Sequence, residues 1–115
     1  MKIIIAGSRN YQLSQNDIYM LNKLEYITEV ISGGAKGVDY YAEKWAENLN
    51  FPIKIFPANW KKYGRAAGPI RNKQMAEYAD ALLLIWDGVS RGSANMKKEM
   101  TKLNKPIYEV ILEGV

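Results

Sequence analysis

The sequence has 115 residues, of which 48% are hydrophobic and 24% charged, with a formal net charge of +4. This balance predicts a single globular domain over residues 1–115, and no apolar run has the roughly 18 residues that a membrane span needs. Cysteine and histidine are absent, which excludes disulfides, thiolate or imidazole metal sites and a Ser-His-Asp triad. We therefore predict no metal and no required cofactor. The chain starts directly with an apolar strand instead of a signal peptide, so we expect a cytoplasmic protein.

Short apolar runs alternate with amphipathic stretches along the chain. The apolar runs predict strands over residues 2–6, 28–32, 52–56, 81–86 and 106–112. Helical spacing predicts a helix after a Ser14 cap, then helices over residues 38–49, 68–78 and 94–103, with Asn50 as a left-handed residue after the second. The longest irregular connection is expected over residues 57–68.

This alternation predicts an α/β fold, a Rossmann-like three-layer sandwich with a five-stranded, mainly parallel sheet. Right-handed crossovers favour the strand order 3-2-1-4-5, with the switch point between the first and fourth strands. Ligands bind such sheets at the carboxyl ends of the strands. Four segments should therefore converge there, namely residues 7–11, 33–39, 68–71 and 87–93.

All four arginines, Arg9, Arg65, Arg71 and Arg91, fall in the connections that follow predicted strands. Arginine offers a permanently charged, planar fork that matches phosphate or carboxylate. We predict that Arg71 lies in the first turn of a helix, where a cation opposes the helix dipole unless an anion is near. The alternatives are an internal carboxylate partner, such as Asp87 or Glu99, and a grouping by chance.

Glycines in the same connections let backbone amides approach an anion. The loop over residues 33–37 is interpreted either as an anion cradle or as a tight turn. Asp39, in the first turn of the next helix, either complements the helix dipole or accepts hydrogen bonds from ribose. The predicted ligand-binding residues are Gly7, Ser8, Arg9, Gly33, Gly34, Lys36, Gly37, Asp39, Arg71, Asn72, Asp87, Gly88, Ser90, Arg91, Gly92 and Ser93.

Seven segments together resemble the YspA-like branch of the SLOG superfamily. They are residues 4–9, 31–39, 56–60, 67–72, 75–76, 79–81 and 86–93. The resemblance implies a Rossmann-like nucleotide-binding domain related to the Lonely Guy phosphoribohydrolases and to the DNA-processing protein DprA. It further implies that the chain senses or processes a nucleotide-derived ligand, such as an NAD or ADP-ribose derivative, and that it forms a homo-oligomer.

The Lonely Guy enzymes cleave the N-glycosidic bond of adenosine monophosphate derivatives. Arg71 and Met75 match the first part of their motif, and Gly92-Ser93 matches its Gly-Thr pair. Met96, however, stands at the position of their catalytic glutamate. The resemblance therefore places ligand binding ahead of Lonely Guy hydrolysis.

A hydrolase would still need a carboxylate to stabilise an oxocarbenium-like transition state. Asp87 and Glu99 are the predicted catalytic residues in that case, and Asp39 is a further substitute. Glu99 has a geometric rationale, because it lies about one helical turn beyond Met96 on roughly the same face.

Three functions follow from these observations. The leading hypothesis is a module that senses or sequesters a nucleotide-derived ligand. The second is an N-glycosidic hydrolase or a deoxyribosyltransferase-like enzyme. The third is DprA-like binding of single-stranded DNA, with Trp60 and Tyr63 stacking on bases. Since no run of basic residues exists, we do not expect nucleic acid as the main partner.

Overall fold

Five parallel strands form one sheet in residues 1–112, the part of the chain that the computed structural model describes. The strands are β1 (Lys2–Gly7), β2 (Glu29–Ser32), β3 (Ile53–Ile55), β4 (Ala81–Trp86) and β5 (Ile107–Ile111). Their order is β3-β2-β1-β4-β5, and each neighbouring pair is parallel. This confirms the predicted Rossmann-like fold, with its switch point between β1 and β4.

Helices cover both faces of the sheet. Within the described residues they are α1 (Gln15–Asn22), α2 (Val38–Asn48), the single-turn α3 (Trp60–Tyr63), α4 (Ala67–Tyr78) and α5 (Arg91–Lys102), with a 3₁₀ turn at Gly64–Ala66. None of the helices in residues 1–112 is both long enough and apolar enough to cross a membrane.

The core has two halves because successive side chains of a strand point to opposite faces. Ile3 and Ile5 of β1 pack with α1 and α2, through residues such as Leu21 and Trp45. Ile4, between them, packs on the other face with methionines of α4 and α5. β4 is buried along its whole length, as its continuous apolar run predicted.

Local capping also follows the sequence. Ser14 caps α1 in a capping box with Asp17, as predicted, since each side chain accepts a hydrogen bond from the other's backbone amide. Asn50 has the expected left-handed backbone after α2, with φ of 60°.

Two predicted boundaries were wrong. The segment 57–68 is not irregular throughout, because Asn59 Oδ1 accepts a hydrogen bond from the Lys62 amide at 3.0 Å and caps the short helix α3. Helix α5 begins at Arg91 and not at Ala94. Both boundaries were predicted from apolar periodicity. A one-turn helix and a local hydrogen bond leave no trace in that periodicity, so the pattern could not show them.

Lys105 closes the C-terminal end of α4. Its Nζ donates to the carbonyls of Ala76, Glu77 and Ala79 at 2.7, 3.1 and 2.6 Å. These carbonyls lie at the negative end of the helix dipole. We expect Lys105→Met to lower the free energy of unfolding by about 1–3 kcal/mol, since it removes charged hydrogen bonds.

Chemical denaturation of the Lys105→Met variant measures this loss. Lys102→Met is the matched control, because Lys102 is exposed and lies 3.5 Å from its carboxylate partner, Glu99. That control should change the free energy of unfolding by less than about 0.5 kcal/mol. Equal losses in the two variants would show that Lys105 contributes no more than an ordinary surface lysine.

Candidate functional site

A cavity of about 480 Å³ lies at the carboxyl ends of β1 and β4, at the switch point of the sheet. Segments that are far apart in sequence form its wall: the loop after β1, the first turn of α2, α4, and the connection from β4 into α5. Its lining includes the predicted site residues Gly7, Ser8, Arg9, Asp39, Arg71, Asn72, Asp87, Ser90, Arg91, Gly92 and Ser93.

The end of β1 is fixed tightly against β4. A Cβ atom on Gly7 would lie 1.7 Å from the carbonyl oxygen of Ile85, so only glycine fits between the two strands. The Ser8 amide then donates to the same oxygen at 3.0 Å. The Ser8 hydroxyl is buried and has no hydrogen-bond partner within residues 1–112. A hydroxyl of this kind at a cavity wall is a candidate donor to a ligand.

Three of the four arginines line the cavity, and each comes from a different element: Arg9 from the loop after β1, Arg71 from α4, and Arg91 from α5. None of them forms a salt bridge within the described residues. Arg65 does not line the cavity, because it lies exposed in the 3₁₀ turn before α4. The cavity therefore gathers three guanidinium groups, and no carboxylate within residues 1–112 lies within salt-bridge distance of them.

Arg71 is half-buried and held by neutral oxygen atoms. Its Nη1 donates to the carbonyl of Gly33 at 2.7 Å and, at 3.5 Å, to that of Phe56, while its Nε donates to Asn72 Oδ1 at 3.0 Å. Burial lowers the pKa of the Arg71 guanidinium; Asp39 opposes this change and Arg9 adds to it. The alternative that Asp87 or Glu99 pairs with Arg71 is therefore wrong for the described residues.

Arg91, and not Arg71, lies at the positive end of a helix. Because α4 begins at Ala67, Arg71 is its fifth residue and lies beyond the first turn. Arg91 is the first residue of α5, whose first turn contains no acidic residue. A cation at the positive end of a helix is unfavourable unless an anion lies nearby.

Asp87 organises the approach to α5. Its carboxylate accepts hydrogen bonds from the Val89 and Ser90 amides, both at 2.9 Å, and from the Ser90 hydroxyl. These bonds, with the Val89 amide first, lower the pKa of Asp87. The turn that they stabilise lets α5 begin at Arg91. The amides of Arg91, Gly92 and Ser93 precede the first intrahelical donor, Ala94, and remain available at the cavity wall.

Asn72 joins α4 to α5 behind this wall. It is 6% exposed, and its Nδ2 donates to Asn95 Oδ1 at 2.8 Å and to the Gly92 carbonyl at 3.3 Å. Since its Oδ1 accepts from Arg71, the side chain fixes both a guanidinium and the start of α5. Its role in the structure is to position other site groups.

Asp39 is a buried carboxylate at the cavity. It is 6% exposed, and burial raises its pKa to about 6, although the Ala35 amide and Arg71 oppose that rise. Its Oδ2 accepts from the Ala35 amide at 3.3 Å. Within residues 1–112, no group of three or more His, Cys, Asp or Glu side chains is arranged to hold a metal ion.

The glycine loop at residues 33–37 does not form the wall of this cavity. Several of its amides have internal acceptors: Gly34 donates to Ser32 Oγ, Ala35 donates to Asp39, and Val38, just after the loop, donates to the Ser8 carbonyl. Two of the five loop amides are therefore engaged within the chain, and the contact of the loop with the cavity is the Gly33 carbonyl that holds Arg71. Gly34, Lys36 and Gly37 line a shallow depression beside the cavity, which shares Arg9, Asn10 and Tyr11 with it.

Two other predicted residues lie away from the cavity. Gly88 is absent from its lining, although its neighbours on both sides of the turn contribute. Glu99 is also absent, and its Oε2 lies 3.5 Å from Lys102 Nζ. The helix turns Met96 toward the cavity, but Glu99, three residues later, is rotated far enough to pair along the helix surface.

Some lining residues were not among the predicted site residues. Asn10 and Tyr11 follow Arg9, and Met75 and Met96 lie at the cavity with only 2% exposure. Their match to the Lonely Guy motif positions was a signal for two of them, Met75 and Met96. Asn10 and Tyr11 lie in the segment 7–11 that the strand order placed at the site, although neither was named as a ligand-binding residue.

Comparison with known families identifies this arrangement. The model of the YspA, cpYpsA-related SLOG family matches residues 1–63, which is more than half of the chain. The chain belongs to the YspA, cpYpsA-related SLOG family. The matched part of this SLOG chain contains Arg9 and Asp39, whereas Arg71 and Arg91 lie beyond it.

Two known proteins are similar to this SLOG chain. The Gene 61 protein of Mycobacterium phage D29 is 29% identical over 117 residues, which cover 92% of this chain and 93% of that protein. The crystal structure of DNA processing protein A (DprA) from Streptococcus pneumoniae superposes with a TM-score of 0.74 at 16% identity. The alignment covers 99% of this chain but 51% of the DprA chain, so this chain spans about half of that protein. At that identity the likeness shows a shared fold.

Proposed function

We propose that this SLOG chain binds a phosphorylated, nucleotide-derived metabolite in the cavity between β1 and β4. The observation that carries the proposal is the meeting of Arg9, Arg71 and Arg91 at one cavity, none of them in a salt bridge within the described residues. Unmatched guanidinium groups at a concave surface favour a multiply charged anion.

The start of α5 supplies the second half of the phosphate site. The amides of Gly92 and Ser93 lie at the positive end of a helix of twelve residues, beside the Arg91 guanidinium. Backbone amides at such an end bind phosphate through hydrogen bonds and the helix dipole together. We infer that the phosphate contacts these amides and the arginines at once.

The size of the cavity supports a ligand larger than inorganic phosphate. At about 480 Å³ it falls within the roughly 300–1,000 Å³ range of small-molecule sites. Family membership supports a nucleotide as the remainder of the ligand. An NAD or ADP-ribose derivative is our more specific proposal, and sensing or sequestering such a ligand would need no bond to be broken.

A thermal-shift panel tests the proposed function. AMP, NAD, ADP-ribose and cyclic AMP are compared with adenosine, which lacks phosphate. We expect at least one phosphorylated compound to raise the melting temperature, because a ligand at 100 times its dissociation constant stabilises by about 2.7 kcal/mol. A panel in which no phosphorylated compound has more effect than adenosine would contradict the proposal.

Gly92→Ala separates folding from phosphate binding. A Cβ atom on Gly92 would meet no other atom within 4 Å, so alanine should fit the free protein and add about 0.5–1 kcal/mol of helix stability. The added methyl would nevertheless occupy the space beside the amides that we assign to phosphate. We expect the affinity for the phosphorylated ligand to fall by roughly tenfold or more in calorimetry, the loss of about one charged hydrogen bond. Unchanged affinity would remove the start of α5 from the phosphate site.

Neither carboxylate predicted for hydrolysis supports that alternative. Glu99 lies outside the cavity lining, and Asp87 is engaged by the turn before α5. The further substitute, Asp39, does line the cavity, so we propose binding without hydrolysis first and keep hydrolysis as the alternative. Chromatography of AMP after incubation with the protein checks this choice, and release of adenine would show that the protein is a hydrolase.

A second candidate, binding of single-stranded nucleic acid, is favoured by one exposed segment. Trp60 is 54% exposed and Tyr63 is 41% exposed, and Lys61, Lys62 and Arg65 beside them are exposed as well. Exposed aromatic rings interleaved with cations suit stacked bases and a phosphate backbone. Filter binding of an oligonucleotide across a salt series tests this candidate, and affinity that does not fall with salt would exclude it.

A further inference from the structure

Two carboxylates line the cavity, and they differ in the hydrogen bonds that engage them. Asp87 accepts from two amides and a hydroxyl of the turn before α5. Asp39 accepts, within residues 1–112, a hydrogen bond from the Ala35 amide at 3.3 Å, through Oδ2. The Gly33 amide is a weaker second donor to this carboxylate, and Oδ1 is not among the fully buried atoms that lack a partner within residues 1–112. Asp39 is therefore less fully hydrogen-bonded than Asp87, and it lines the cavity.

Asp39 also lies next to the most buried of the cavity arginines. Both side chains lie over Gly33. A Cβ atom on Gly33 would be 2.6 Å from Arg71 Nη1 and 3.2 Å from Asp39 Oδ2. Their charges are close, but they form no salt bridge within the described residues. A ligand with an anionic group and adjacent hydroxyl groups would satisfy both side chains together.

Other charged groups face Asp39 from the surrounding elements. Arg9 lies in the loop after β1, and Arg91 and Asp87 stand on the α5 side of the same cavity. On its own helix, Glu43 lies one turn away and accepts from Ser32 Oγ at 2.6 Å. Burial raises the pKa of Asp39 to about 6; the Ala35 amide, Arg71 and, more weakly, the Gly33 amide oppose the rise, and Glu43 adds to it.

We propose that Asp39 accepts hydrogen bonds from the 2′ and 3′ hydroxyls of the ligand's sugar and so makes the site specific for ribose over a sugar that lacks both hydroxyls. This inference rests on the proposed function and identifies Asp39 as the group that recognises the sugar. Only the ionised carboxylate can accept at both oxygens. Ribose specificity consequently depends on pH, and it is lost as Asp39 takes up a proton.

Affinities for AMP and 2′,3′-dideoxy-AMP test this role by calorimetry. At about pH 7.5 we expect the wild type to bind AMP roughly tenfold or more tightly than the dideoxy compound, the effect of a hydrogen bond to a charged group. This ratio should approach one at about pH 5, since Asp39 is then mostly protonated. Both compounds carry the same phosphate, so its own titration near pH 6 cancels in the ratio.

Asp39→Asn should lower the ratio at about pH 7.5 and make it independent of pH, because the amide is uncharged and accepts through one atom only. Asp87→Asn should leave the ratio and its pH dependence as in the wild type, even where it weakens both affinities. A wild-type ratio near one, with AMP bound, would overturn the role of Asp39 alone. Absence of binding by every compound in the panel would overturn the proposed function together with it.

Melting temperature against pH provides a test without ligand. Because the pKa of Asp39 is raised in the folded state, its stabilising contribution is present below about pH 4 and is lost as the pH rises through about 6. Asp39→Asn should therefore melt above the wild type at about pH 7.5, and the difference should shrink toward about pH 4. Melting curves that stay parallel over this range would overturn the predicted pH dependence of the ribose specificity, because they would show that the pKa of Asp39 is not raised.

Discussion

Replacing Arg91 by alanine is expected to weaken binding of the phosphorylated ligand by roughly 10- to 100-fold, as the loss of one charge-assisted hydrogen bond to phosphate would. The same change should leave the melting temperature unchanged or slightly higher. Arg91 is exposed and is the first residue of α5, so its removal relieves an unfavourable interaction with the helix dipole. Calorimetry and thermal melting of the one variant give both results.

Arg65→Ala is the matched control for Arg91→Ala. Both substitutions remove one exposed guanidinium and change the net charge equally, but Arg65 lies outside the cavity. Its loss should change the affinity only through long-range attraction, which is largely screened at physiological salt. Equal losses in the two variants would mean that general charge, and not the cavity, attracts the ligand.

Gly37→Ala is expected to lower the free energy of unfolding by about 2–5 kcal/mol, for two separate reasons. The backbone of Gly37 has φ of +72°, a left-handed conformation that strains any residue with a side chain. A Cβ atom there would also lie 2.2 Å from the Ser8 carbonyl oxygen and 2.5 Å from that of Arg9. Because these oxygens belong to the backbone of the loop after β1, relief of the clash would move Ser8 and Arg9 at the cavity.

Gly64→Ala separates the two reasons. Gly64 also has a left-handed backbone, with φ of +55°, but a Cβ atom would meet nothing within 4 Å. The expected loss is therefore the backbone strain alone, about 1–2 kcal/mol. Chemical denaturation of both variants measures the difference, and an equal loss at the two positions would show that the glycine loop does not need its close approach to Ser8 and Arg9.

The sequence predicted the sheet well because its signals there are long and repeated. A continuous apolar run can only be a buried strand or a buried helix, and the run of β4 is too short for a helix. Right-handed crossovers then leave few strand orders, and the observed β3-β2-β1-β4-β5 is the predicted one. The convergence of Arg9, Arg71 and Arg91 follows from that order, since they all follow strands of the same sheet.

The details of the site could not be predicted, because they depend on short-range hydrogen bonds. Asp87 holds the turn that starts α5 at Arg91, whereas Arg71 lies beyond the first turn of α4 because that helix begins at Ala67. The cation at a helix N-terminus is therefore Arg91 and not Arg71. Two amides of the glycine loop, those of Gly34 and Ala35, donate to Ser32 and Asp39 within the chain. Nothing in residue type or spacing distinguishes a donor satisfied within the chain from one left for a ligand.

Mapping the ligand on the protein by NMR shows whether phosphate binds in this cavity. Backbone amide signals of the ¹⁵N-labelled protein are followed by NMR while AMP or ADP-ribose is added, with adenosine as the control. We predict saturable shifts at Gly92 and Ser93 and at the Nε signals of Arg71 and Arg91, which adenosine does not reproduce. Shifts confined to Trp60 and Tyr63, or no saturable shift at the start of α5 with either phosphorylated compound, would contradict a phosphate site in this cavity.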